Sequence, residues 1–95
     1  MTTRFEWDDD KAQANLHKHG ISFEEAQTVF HDPFETTISD PDHSTNENRF
    51  ITLGESNKKR IVVVVYVERR NKIRLISARK ATRAERKNYE EENFD

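Results

Sequence analysis

The chain predicts an α+β fold: a mostly antiparallel sheet of about four to five strands, with two N-terminal helices packed on it and a C-terminal helix. Three observations carry this prediction. Residues 61–67 form a β-branched run broken only by Tyr66, the pattern of a strand buried on both faces at the centre of a sheet. Turn-forming residues at 56–59 and 70–71 flank that run, so neighbouring strands should return as hairpins. Ahead of the strands, apolar residues recur at helical spacing behind capping signals, which places helices first.

Taken in order, Arg4-Phe-Glu-Trp7 alternates and reads as a short strand. Asp8, Asp9 and Asp10 supply a cap and the negative charge that a helix N-terminus favours. That helix should run to about His19 and stop at Gly20, burying Ala12, Leu16 and His19 with Asn15 beside them. Ser22-Phe-Glu-Glu25 is a capping box for a second helix with an apolar stripe of Phe23, Ala26, Val29 and Phe30. Asp32-Pro33 ends it, because proline cannot continue the backbone ladder. Thr36 to Ile38 reads as an edge strand, residues 39–48 as a polar surface loop, and Arg49 to Glu55 as a strand. The strand at Lys72–Lys80 follows the second turn, and Thr82-Arg-Ala-Glu85 is a capping box for the last helix. Its poor apolar content (Ala81, Ala84, Tyr89, Phe94) leaves it weakly held and free for movement or partner contact.

Composition narrows the function. With 95 residues, 33% hydrophobic and 36% charged, one domain with a small core is expected over residues 1–95. The absence of cysteine removes disulfides and thiolate chemistry. No apolar run approaches the roughly 20 residues of a membrane span, and no signal-peptide pattern opens the chain, so a cytoplasmic location is expected. The net charge of −2 conceals a strong asymmetry. Between Lys58 and Lys87 stand twelve Lys/Arg and only two acids, Glu68 and Glu85; the remainder holds four Lys/Arg and sixteen acids. Such a basic segment is the electrostatic footprint of phosphate-backbone binding, unless the two halves simply neutralise each other across the fold.

With only Gly20 and Gly54, the chain has no phosphate-cradling glycine loop, and no catalytic Ser/His/Asp order stands out. His43 lies near Asp40, Asp42 and Glu47, but hard ligands in a polar loop are ordinarily just solvated, so neither metal nor cofactor is expected. What remains is a cationic set with an acid: Glu68, Arg69, Arg74, Arg79 and Tyr89 as candidate catalytic residues, and Lys11, Lys18, His19, Arg49, Lys80 and Arg83 as candidate RNA contacts. Metal-free RNA cleavage needs little more. A base takes the 2′-OH proton, an acid protonates the leaving 5′-oxygen, and cations stabilise the phosphorane. Glu68 is the candidate base, and Tyr89 or His19 the candidate proton donor. Arginine suits the phosphate because its planar fork binds it bidentately and keeps its charge. Strand parity sets a limit: in a regular strand Arg74 and Arg79 point to opposite faces, and only a bulge or a strand end would bring them together. The competing reading of each arginine is a cross-strand or surface ion pair. A non-catalytic module that binds nucleic acid or an acidic partner through the basic face is the alternative function.

Phe5-Glu-Trp-Asp8, Lys11, Asn15, Lys18-His-Gly20, Phe23-Glu-Glu-Ala26, Val29-Phe30 and Asp32-Pro33 together resemble the BrnT family of toxins. So do Glu47, Arg49-Phe50, Gly54-Glu-Ser56, Val64-Val-Tyr66, Glu68-Arg69, Ile73 to Arg79, Ala81-Thr82, Glu85 and Tyr89, extending the likeness over nearly the whole chain. The resemblance implies a RelE-like fold and a type II toxin that acts as a ribonuclease and arrests translation. It also implies a partner, the DNA-binding BrnA antitoxin, in a hetero-oligomer that masks the toxin. One departure is Lys58-Lys59, where the family usually has glycine before the central strand.

Overall fold

The computed structural model describes residues 4–40 and 48–94. The elements are β1 (Arg4–Glu6), α1 (Asp9–His19), α2 (Phe23–Thr28) running on into a 3-10 turn (Val29–His31), β2 (Thr36–Ser39), β3 (Asn48–Glu55), β4 (Ile61–Arg69), β5 (Lys72–Lys80) and α3 (Arg83–Phe94). They form one five-stranded sheet in the order β1-β5-β4-β3-β2. The strands from β2 to β5 pair antiparallel as the turns predict, and β1 joins β5 in parallel. The β4–β5 turn carries Arg70 and Asn71 at φ 46° and 68°, the left-handed pair that a two-residue hairpin needs to match strand twist.

The helices start and stop where the local chemistry directs. Asp8 Oδ1 accepts from the Asp10 amide at 3.2 Å, and Gly20 closes α1 at φ 72°. Ser22 Oγ accepts from the Glu25 amide at 3.0 Å. The predicted reciprocal half of that box is absent. The Glu25 carboxylate instead turns inward, accepting from Ser56 Oγ at 2.7 Å and from Arg60 Nε at 2.9 Å, while Arg60 also reaches the Gly20 carbonyl. Burial alone would raise the Glu25 carboxyl, but these donors outweigh it and hold it below the usual range.

Ile21, Phe23, Ala26 and Val29 pack onto Val62, Val64, Tyr66, Leu75 and Ala78, so the helical layer covers one sheet face. Phe30 meets Tyr66 edge-on and Phe50 stacks on it. Gly54 lies under this layer, where an added Cβ would stand 2.9 Å from Val29 Cγ1; only glycine allows that approach. Within α1 the buried residue is Asn15, while Leu16 is 48% exposed, the reverse of the apolar stripe expected there. The reason lies in the sheet. β5 pairs with β1 only as far as Arg74, which leaves the outer edge of Ala78 without a strand. Asn15 takes the strand's place: its Oδ1 accepts from the Ala78 amide at 3.1 Å, and its Nδ2 donates to the carbonyls of Ala78 and Ile21, each at 2.9 Å. Buried backbone groups must be paired, so one amide here stitches helix, loop and strand together.

Asn15→Leu leaves those three backbone groups buried and unpaired, and is expected to destabilise the protein by about 3 kcal/mol. Urea unfolding should show a lower midpoint at an unchanged slope.

Candidate functional site

β5 does not pair regularly with β4. Val65 faces Ser77 but Tyr66 faces Leu75, so Ile76 is an extra residue and the register shifts by one. This is a β-bulge, and it resolves the parity conflict. Arg74 now pairs with Val67 and Arg79 with Val63, so both arginines share the face of Val63, Val65 and Val67. That is the face turned away from α1 and α2. Ser77 lies between the two arginines, Lys72 and Arg69 pair at the far end, and Arg49 stands across from Val67 on β3.

Several of these cations are held by carboxylates. Arg74 Nη1 donates to Glu6 Oε2 at 2.9 Å, across the parallel β1–β5 pair. Arg79 grips Glu85 of α3 with both nitrogens, at 2.8 and 3.0 Å. The same Glu85 accepts from the Thr82 amide at 2.8 Å, and Thr82 Oγ1 accepts from the Glu85 amide, completing the capping box. Led by Arg79, these donors pull the Glu85 carboxyl down to about 2. Arg49 sits 3.5 Å from Asp40, a Coulombic contact rather than a hydrogen bond, since its Nε has no hydrogen-bond partner. The cations thus lie on one face with their geometry set in advance.

Tyr89 is buried and its hydroxyl donates to Asp32. Asp32 also accepts from the amides of Glu55, at 2.7 Å, and Phe34, at 2.9 Å. Burial, with the Asp32 carboxylate beside it, pushes the Tyr89 hydroxyl up. Its proton is committed to Asp32, so donating to a leaving oxygen requires that bond to break first. In this arrangement the side chain fastens α3 to the turn before β2.

The remaining candidates divide by position. Glu68 is exposed and pairs with Asn48 and Ile73 near the end of β4. Its alternation puts it with Tyr66, on the face opposite Arg74, and its charge helps to raise the Tyr66 hydroxyl, which burial has already pushed up. Five residues separate Glu68 from Val63, the partner of Arg79, or about 17 Å of strand. Glu68, Arg69 and Arg74 therefore cluster at one end of the sheet, and Arg79, Lys80 and Arg83 at the other. One phosphate cannot touch both groups. Lys11 and Lys18 are exposed on α1, in the helical layer, and His19 is half-buried at its end, near the Gly20 carbonyl that Arg60 holds. Asp42, His43 and Glu47 lie outside the described residues. Sequence reasoning did not single out Glu25 with Arg60, Glu6 with Arg74, or Asp32 with Tyr89; each pairing joins residues at least 35 apart in sequence.

The family model of the ribonuclease toxin BrnT, of type II toxin–antitoxin systems, matches residues 7–85. The chain belongs to the BrnT family. As a member, it is a ribonuclease toxin of a type II toxin–antitoxin system. Among solved structures it is similar to the Brucella abortus ribonuclease toxin BrnT, known from a 1.1 Å crystal structure. That match has 26% identity and a TM-score of 0.63, and covers 86% of this chain and all of the other. None of the curated proteins compared with it matches. The BrnT assignment accounts for the α+β fold and implies an RNA substrate and an antitoxin partner. No helix among the described residues is long and apolar enough to cross a membrane.

The Arg79–Glu85 bridge predicts an acid limb. Because the Glu85 carboxyl is depressed, its stabilisation is complete above the ordinary carboxyl value of 4.5 and is lost as pH falls towards about 2. Discounted for partial solvent screening, Glu85→Gln is expected to cost about 1 kcal/mol at neutral pH. The difference in urea midpoint between wild type and variant should shrink steadily between those two pH values.

Proposed function

We propose that this BrnT-family chain cleaves RNA without a metal ion, with the strand of RNA laid along the β4–β5 face and the chemistry at its Glu68 end. The observation that carries this is the bulge at Ile76, which aligns Arg69, Lys72, Arg74 and Arg79 on one sheet face. Arg69 and Arg74 are the cations nearest Glu68 along the strands, and they stabilise the negative charge that develops on the phosphorane oxygens. Glu68 belongs to the opposite face but is exposed at the strand end, so RNA that bends around this rim brings the 2′-OH to its carboxylate, which takes the proton. The 2′-oxygen attacks phosphorus as the bond to the 5′-oxygen breaks, leaving a cyclic phosphate, and solvent at the open rim protonates the departing 5′-oxygen. Arg79 and Arg83, about 17 Å along the sheet, hold neighbouring nucleotides.

A BrnA-type antitoxin neutralises the toxin by covering the same cations. An acidic or well-fitted segment laid over Arg74 and Arg79 would exclude the RNA backbone, and would give the hetero-oligomer that a type II system implies. Arg49 extends this surface onto β3.

Glu68→Gln is expected to lower the cleavage rate about 10²- to 10⁴-fold with RNA affinity nearly unchanged. Arg79→Ala should act mainly on affinity. Both are measured on purified protein in EDTA, with the products resolved on a gel. Wild-type rates from Glu68→Gln under those conditions would remove Glu68 as the base. Loss of all wild-type cleavage in EDTA, restored by a divalent cation, would refute metal independence. Adding the antitoxin should abolish RNA binding; a ternary complex with undiminished cleavage would argue against masking.

A further inference from the structure

A groove of about 370 Å³ lies between α3 and the sheet end, lined by Lys59, Arg60, Lys80, Arg86, Glu55 and Glu90, with Ile61 and Ala81. Four cations face two carboxylates. Arg60 is committed at its back to Glu25 and the Gly20 carbonyl. Lys59, Lys80 and Arg86 differ from the arginines of the sheet face. Among the described residues they make no ion pair and no side-chain hydrogen bond. With Arg60 neutralised by Glu25, three uncommitted cations stand against Glu55 and Glu90, so the lining keeps a net positive charge that attracts an anion.

The backbone supplies a second, independent observation. Lys59 is held at φ 63° in the turn between β3 and β4, its amide donating to the Ser56 carbonyl at 3.0 Å. Left-handed backbone is strained for a residue with a Cβ and unstrained for glycine. Lys59 is exposed, so no packing compensates for the strain. What the position gains is an ammonium at the mouth of the groove. The hairpin between β3 and β4 needs one left-handed residue, and here a lysine fills the place that glycine would fill without strain.

We infer that this groove is a second phosphate subsite, in which Lys59, Lys80 and Arg86 converge on an RNA backbone phosphate remote from the one that is cleaved. Lys80 is the last residue of β5 and pairs with Val62, on the face opposite Arg79, so the groove lies around the strand end from the Arg79 end of the cationic face. The inference rests on the RNA-cleaving reading above and specifies where the substrate leaves the sheet. Phosphate contacts of this kind position a strand without reading its bases. Their contribution depends on salt, because each neutralised phosphate releases condensed counterions.

The test uses a 2′-O-methyl RNA oligonucleotide, which lacks the attacking hydroxyl and stays intact. Its Kd is measured from 0.05 to 0.3 M salt with the full chain, Lys59→Gly and Lys80→Ala/Arg86→Ala. Lys59→Gly removes the charge and relieves the backbone, so its Tm should equal or exceed that of wild type while affinity at about 0.1 M salt falls roughly three- to tenfold. The slope of log K against log salt should shrink by about 0.7 for each cation removed. Wild-type affinity and slope in both variants would overturn the groove and leave the ribonuclease reading standing. A wild-type chain that neither binds this oligonucleotide nor cleaves ordinary RNA would overturn both.

Discussion

The register of β5 on β4 is the constraint on which the rest depends. A strand presents alternate residues to opposite faces, so a shift of one residue exchanges core and surface along its whole length. In a regular pairing one of Arg74 and Arg79 would enter the layer beneath α1 and α2, an unpaired cation in an apolar core. The extra residue at Ile76 avoids this. On one side of the bulge Leu75 and Ile73 face the helices, and on the other Ala78 does; both arginines emerge on the opposite face. One irregularity thus completes the core and assembles the cationic surface.

The β5 edge has a second consequence. Because β1 ends at Glu6, opposite Arg74, β5 runs on beyond its partner, and the backbone left unpaired at Ala78 is satisfied by an asparagine from a helix. That requirement explains why α1 buries a polar side chain in preference to Leu16. It also fixes the helical layer relative to the sheet, since Asn15 holds Ile21 and Ala78 at once. Glu25 with Arg60 and Ser56 makes the equivalent tie at the start of β4. Polar groups are costly to bury unless every bond is made, so both networks specify one arrangement of layers.

Function and folding draw on the same charges in different ways. Arg74 and Arg79 are oriented by Glu6 and Glu85, and in the function proposed above an incoming RNA phosphate competes with a carboxylate already in place. Of the cations that face the groove beside α3, Lys59, Lys80 and Arg86 carry no such partner among the described residues. A surface with both kinds combines placement, from the paired groups, with electrostatic attraction, from the unpaired ones.

Much of this was legible in the chain itself. The five strands, the three helices, the caps at Asp8, Ser22 and Thr82, the stop at Gly20 and the segregation of charge are all properties of short segments. Backbone propensity and nearest-neighbour hydrogen bonding act over a few residues, and that is why such features can be read locally. The BrnT likeness belongs to this level too, because it resides in an ordered set of residue types. The parallel β1–β5 pairing, the burial of Asn15, the division of the candidate site into a Glu68 end and an Arg79 end, and the carboxylates that hold Arg74 and Arg79 were decided by tertiary structure alone. Each depends on which residue stands opposite which across the sheet, and a single bulged residue, invisible to periodicity, changes the answer.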